Sequence, residues 1–311
     1  MAANPVPLRA LRSRFGLTFR GGFAAYLFVL PSIVFISLFV IVPILGALAY
    51  SFTTYDLLTA PRYAEFENYL DISSEPRFPP AIRNTVLFAI GTVPAGVITS
   101  LLLAVLINRG IRGIYFFRAM FYMPVVSSMV AVSVIFLWIY EPQTGIISEF
   151  MQMLGLVPIK WMRDPDFALL AIILMSIWKN MGLNMVIYLA GLQSIPPHLY
   201  EAAEIDGAGR LSQMFKVTVP LLAPTTYFVV IIYFIGALQM FTQVFIMACD
   251  DGTRICGGPV DSTITIVMLI YLEAFLALKM GFAAALSFTL FVVIAIVTFI
   301  NAKLLSYEIG W

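Results

Sequence analysis

Asn180, Asn184 and Tyr188 recur every four residues within an otherwise apolar run, and Gln239 and Gln243 repeat that spacing in a later one. At about 3.6 residues per turn, each set forms one stripe along a helix. Amides both donate and accept hydrogen bonds, and a tyrosine ring adds a flat apolar face. The two stripes therefore suit a solute with many hydroxyls and apolar ring faces, lining its path. The same groups serve equally as hydrogen-bonding glue between helices. Lys179 adjoins the first stripe near the middle of its run, about 18–20 Å from either end along the axis, too far for its stem to reach water. It needs a carboxylate, carbonyls, water or an anionic solute as partner. Cys249 and Cys256 bracket a short polar segment and either close it as a disulfide or stand as two free thiols. With 2 cysteines and 1 histidine, His198, the sequence has no metal framework of the usual four-ligand kind.

These residues sit in a chain of 311 residues that is 61% hydrophobic and 11% charged, with a mean hydropathy of +0.96. Soluble domains average roughly 45–50% apolar and about 25% charged, so an ordinary soluble domain is excluded. The net charge of +1 gives no bulk field that points to nucleic acid. A spanning helix needs about 20 mainly apolar residues. Six stretches qualify, approximately 24–52, 82–107, 114–140, 167–192, 225–248 and 281–304, which gives an all-α polytopic membrane protein with six transmembrane helices. The segment 263–278 is predicted to lie at or near the outer interface. Glu273 and Lys279, six apart, are not partners on one helix face, and this predicts an interfacial setting, not a buried ion pair.

Six crossings put both termini on one side, and positive charge says which. With a cytoplasmic N-terminus the inner segments carry ten cations, among them Arg9, Arg12, Arg14, Arg20, Arg109, Arg112 and Arg118, against six in the outer loops, while twelve acids lie outside and four inside. The expected organisation is a basic cytoplasmic N-terminus over 1–23, one membrane domain over 24–305 and a cytoplasmic tail over 306–311. The first apolar run is almost twice the upper limit of a cleavable signal core, about 15 residues, so it stays as an anchor. Pro31 and Pro43 are expected to kink it.

Three of the four inner acids fall in the loop 193–224, between the fourth and fifth spans. Ser194 is placed to cap a helix starting near Pro196 or Pro197. Glu201, Ala202 and Ala203 continue that helix, and Asp206-Gly207 breaks it. A second short helix over about 209–217 ends before Pro220. The result is a cytoplasmic helix–turn–helix, in which His198 is expected to be exposed.

Glu201-Ala202-Ala203, Gly207, Val217 and Val219-Pro220 keep the spacing of a known signature: Glu-Ala-Ala, three residues, Gly, nine residues, Ile, any residue, Leu-Pro. Asp206 and Ala208 supply its extended form. The sequence thereby resembles the permease subunits of binding-protein-dependent ABC importers, in the carbohydrate-uptake branch of maltose and glycerol-3-phosphate type with a MetI-like fold. Shorter pieces add to the likeness: Phe66-Glu67-Asn68-Tyr69, Arg83-Asn84-Thr85, Tyr122-Met123-Pro124, Leu189-Ala190-Gly191-Leu192, and Gly257-Gly258-Pro259 before Ser262-Thr263. The segment holding the two cysteines departs from the family, whose run before Gly-Gly-Pro is usually shorter.

The resemblance implies a sugar or sugar-derived solute moved into the cytoplasm across the inner (plasma) membrane. It further implies a second homologous permease, an extracytoplasmic solute-binding protein, and an ATPase pair that carries ATP and Mg and docks on Glu201, Ala202, Ala203, Asp206, Gly207, Ala208 and Pro220. Independently of it, a helix pair held to two spans can seat in a cleft of a soluble ATPase, with Glu201 offered to a basic partner and Gly207 making the tight turn. The sequence contains no G-x-x-x-x-G-K-[ST] phosphate loop, so no cofactor is expected on this chain and ATP hydrolysis is expected elsewhere. Alternatives are a glycerol-3-phosphate or phosphodiester importer, which would suit Lys179, and a self-sufficient secondary transporter, which often carries internal repeats that are not found here. An intramembrane enzyme lacks a catalytic pair or metal ligands.

Overall fold

The architecture was obtained as a computed structural model that describes residues 19–108, 113–249 and 256–304. Arg9, Arg12, Arg14, Arg109 and Arg112, the segment 250–255 and the tail 306–311 lie outside the described residues. Helix α1 (Phe19–Ile36) runs through a π turn (Ser37–Ile41) into α2 (Val42–Ser51). A small antiparallel ribbon, β1 (Thr53–Thr54) with β2 (Arg62–Tyr63), and α3 (Glu67–Ile72) follow. The sequence then forms α4 (Phe78–Ile107), α5 (Ile114–Val126), α6 (Met129–Ile139), α7 (Ile146–Met153), α8 (Pro165–Ser194) and α9 (His198–Ile205). Next come α10 (Arg210–Gln213), a π turn (Met214–Thr218), α11 (Val219–Leu221), α12 (Ala223–Leu238) and α13 (Thr242–Ala248). Last are α14 (Ile266–Tyr271) with its π turn (Leu272–Leu276), and α15 (Met280–Leu304).

Among the described residues, four helices are long and apolar enough to cross a bilayer unbroken, and two bent pairs bring the number to 6 if each pair counts as one span. One bent pair is α5 and α6, at 99° to each other; the other is the stretch Arg210–Leu221 with α12, at 67°. The third span is thus broken where a single helix over 114–140 was expected. Pro124 removes one helix hydrogen bond just before the break, and Ser127 and Ser128 take extended conformations across it. The fifth expected span is also interrupted, between Leu238 and Thr242. There the buried Thr265 donates to the Met240 carbonyl at 3.0 Å, which satisfies a backbone group that the break sets free. By contrast, Pro31 lies within the continuous α1.

Helices α4 and α8 form the centre and pack along their length. A large core of Phe88, Ile172, Met175, Val244, Met268 and Leu286 lies toward one end, and a smaller one of Met185, Tyr188, Leu189, Leu192 and Leu222 toward the loop that holds α9. The segment expected at the outer interface packs into the large core: Ile264, Met268 and Leu269 are fully buried. Its apolar residues carry it into the core with Glu273, while the Lys279 side chain stays exposed. These two do pair, at 3.4 Å, with Glu273 buried. The π turn and Leu278 at φ +58° fold the chain back on itself, so that the Lys279 amide also meets the Glu273 carbonyl.

Two of the short family pieces meet here. Asn84, buried on α4, donates to the Asp261 carbonyl at 2.8 Å and the Ile264 carbonyl at 3.0 Å, and Thr85 accepts from the Ile266 amide. Arg77 adds a fork to Asp261 and reaches the Cys256 carbonyl. Asn68 likewise ties α3 to the end of α2 through the Ser51 and Thr53 carbonyls. Asn84→Ala is expected to cost about 1–3 kcal/mol for each carbonyl left buried without a donor, read as a lower thermal midpoint of the purified protein. Cys249 and Cys256 are joined in a disulfide beside this clasp. Maleimide labelling of denatured protein is expected to find no thiol before reduction and 2 after it.

Candidate functional site

The loop between α8 and α12 is a braced helix pair. Pro196 and Pro197 set the entry to α9 and their carbonyls accept from the Leu199, Tyr200 and Glu201 amides. Ser194, expected to cap this helix, instead ends α8, where its hydroxyl donates back to the Gly191 carbonyl. The signature residues have a local task. Asp206 caps α9, Gly207 follows at φ +77°, the Gly207 amide donates to Glu204 at 3.0 Å and the Ala208 amide to Ala203 at 2.8 Å. That bonding pattern closes a helix with a left-handed residue just past its end, which favours glycine, and it brings the two small side chains of Ala203 and Ala208 together. No atom lies within 4 Å of where a Gly207 Cβ would point, so conformation and not crowding within this chain requires glycine.

Tyr200 links the two arms by a 3.1 Å hydrogen bond to the buried Thr218 and packs against the smaller core. The second arm does not end before Pro220. It runs through the π turn and α11 with helical backbone throughout, the Val219 amide reaching back to the Met214 carbonyl, and Pro220 follows with no N–H to donate. What remains outward is Glu201, Ala202 and Asp206 together with Ile205, Leu211 and Phe215, the last three 87%, 77% and 68% exposed. His198 is exposed at the start of α9, as expected. Exposed apolar side chains stand here beside the acids of α9, with the exposed Arg210 and Lys216 on the second arm.

Within the helices lies a cavity of about 340 Å³. Asn180 and Asn184 from α8 meet Gln239 and Gln243 from the broken fifth span on its wall, so the two stripes converge. Tyr188 does not line it; the ring is fully buried in the smaller core. Lys179 does not line it either. Its ammonium donates to the Val125 carbonyl at 3.0 Å, at the last turn of α5. A cation there meets the negative end of the half-helix and one of the carbonyls that the break leaves free. Gly182, one turn on, lets the two helices approach: a Cβ there would stand 2.1 Å from the Phe121 carbonyl oxygen.

The cavity also holds Ser176, Tyr233, Phe241 and Thr242, which the spacing argument missed. Ser176 was within reach, since it extends the Asn180–Asn184 stripe one step back. Phe241 and Thr242 follow from the break after Leu238, and Tyr233 comes from the regular helix before it.

The family model for the inner membrane component of binding-protein-dependent transport systems matches residues 92–306. The chain is 34% identical over 280 residues to the lactose transport system permease protein LacF of Rhizobium radiobacter, covering 89% of this chain and 92% of that one. It is 29% identical to the sn-glycerol-3-phosphate transport system permease protein UgpA of Pectobacterium atrosepticum, covering 94% and 97%. Among solved structures, a bacterial alginate ABC transporter in complex with an alginate pentasaccharide-bound periplasmic protein contains a chain of the same fold, with a TM-score of 0.80 at 23% identity over 91% of this chain and 94% of that chain.

Proposed function

This chain belongs to the family of binding-protein-dependent transport system inner membrane components, and from that membership we propose that it is the transmembrane subunit of an ATP-driven importer for a sugar or sugar-derived solute. The observation that carries the proposal is the braced, outward-facing helix pair at Glu201–Ala208, held between α8 and α12. Closure of an ATPase pair around this mount would be passed to both helices as a rigid movement. The carbohydrate class is supported by relatives named for lactose, arabinooligosaccharides and sn-glycerol-3-phosphate, and by a cavity walled with amides and hydroxyls.

In this reading ATP and Mg bind the partner ATPase, a second permease completes the path, and a solute-binding protein delivers cargo from outside. The bound periplasmic protein in the alginate transporter supports that last partner. Asn180, Asn184, Gln239 and Gln243 form this chain's part of the path, while Lys179 and Tyr188 serve the scaffold. The excess of cations over acids summed over the inner segments, ten against four, supports cytoplasmic termini over 1–23 and 306–311, with the membrane domain over 24–305 between them. An affinity-tagged chain drawn from its native membrane in mild detergent is expected to bring down an ATPase subunit and a second permease. Recovery of the chain alone, in a form that transports, would overturn the proposal.

A further inference from the structure

We infer that the solute passing this chain is uncharged, a neutral saccharide or polyol and not a phosphorylated or carboxylated one. This rests on the cavity being the path, as proposed above. No described residue that lines the cavity carries a charge. Its polar wall is made of amides and hydroxyls, groups that donate and accept alike, as sugar hydroxyls do. One of those hydroxyls, of Ser176, is 1% exposed and has no hydrogen-bond partner among the described residues, whereas the Tyr233 hydroxyl is packed against Gly96 on α4. A buried polar group without a partner calls for one, and a ligand hydroxyl supplies it. Phe88 and Phe241 add apolar faces for a sugar ring.

A phosphate or carboxylate entering this space would give up hydration without meeting a counter-charge. The cation that would serve, Lys179, is next in sequence to Asn180 but points about 100° away around the helix. It is buried against the Val125 carbonyl. The charge that invites a glycerol-3-phosphate reading is therefore committed to the broken third span.

The test uses the complete importer with its binding protein in proteoliposomes, offered radiolabelled lactose, glucose, raffinose and glycerol beside glucuronate, glucose 6-phosphate and sn-glycerol 3-phosphate. Uptake of a neutral member is expected to exceed that of every anionic one by about tenfold or more. Asn184→Asp and Gln243→Glu, which bury a carboxylate in the path, are expected to lower neutral uptake about fivefold or more. Lys179→Gln should leave the neutral-to-anionic ratio unchanged within about twofold, and Lys179→Met, which also removes the charge, serves the same purpose if the first variant folds poorly. Preferential uptake of an anionic member that Lys179→Gln selectively removes would overturn the inference while leaving the importer assignment intact. A coupled complex that takes up none of the panel would overturn the carbohydrate assignment, and the inference with it.

Discussion

Glu201→Arg is expected to abolish solute-stimulated ATP hydrolysis by the assembled importer while leaving the yield of folded chain unchanged. The side chain is exposed on the first turn of α9, in line with Ile205 one turn on. An acid in the first turn of a helix contributes only about 0.3–1 kcal/mol to the helix itself, so reversal costs the fold little. Across an interface the effect is larger. Removing one partner of a buried, hydrogen-bonded charge pair costs about 2–5 kcal/mol, a factor of roughly thirty or more in binding, and reversal adds repulsion. Gly207→Val acts by another route on the same surface. It forces a β-branched residue to φ +77°, where even an ordinary L-residue pays about 1–2 kcal/mol, and it opens the turn that aligns the two arms. Both variants should fail to retain the ATPase subunit on size-exclusion chromatography. Unchanged stimulation in Glu201→Arg would show that the partner docks elsewhere.

Gly182→Val is expected to have the largest effect on stability. The new Cβ would meet the Phe121 carbonyl oxygen at 2.1 Å and its carbon at 3.0 Å. These are backbone atoms of a helix and cannot swing aside, so α5 and α8 must separate. Overpacking ordinarily costs about 1–3 kcal/mol, and a backbone clash belongs at or above the top of that range. Separation also pulls the Val125 carbonyl from Lys179, which leaves a buried ammonium without its acceptor. The comparison is Gly46→Val, where no atom lies within 4 Å of the added Cβ. Fluorescence-detected chromatography after a heating series should show a clearly lower midpoint for Gly182→Val alone. Equal midpoints would mean that α5 does not seat on α8 in this way.

Run lengths locate the spans because a bilayer imposes a minimum length of apolar helix, and that constraint is read from composition alone. Breaks inside the spans are not so legible. Pro124 hints at one of them, but Leu238–Thr242 contains neither proline nor glycine, and its stability comes from Thr265, a residue distant in sequence. The four-residue spacing of Asn180 with Asn184 and of Gln239 with Gln243 gives a face for each pair, and only the packing of α8 on the fifth span puts the faces together. Lys179 could be seen to need a partner, whereas a backbone carbonyl from another helix leaves no trace in residue types. The pairing of Glu273 with Lys279 was missed for a related reason: a π turn and a left-handed residue change the spacing rule that applies to a regular helix.

The helix pair was the most legible element, since its turn chemistry is local. Ala203, Asp206, Gly207 and Ala208 are each named by a short-range hydrogen-bonding pattern, with no contribution from distant residues. Ser194 is the exception; the same hydroxyl can cap a new helix or bond back into the one that is ending, and sequence does not choose between them. Asn84 and Gly257-Gly258-Pro259 stand as unconnected fragments in the sequence, and become one clasp only when α4 meets the segment before α14.

The most direct measurement is sugar uptake into proteoliposomes that hold the complete complex, with binding protein outside and ATP either inside or absent, while ionophores collapse every ion gradient. Uptake that needs internal ATP and survives the collapse is the predicted result. Uptake that proceeds without ATP and stops when the gradients are dissipated would contradict an ATP-driven importer coupled through the Glu201–Ala208 helix pair.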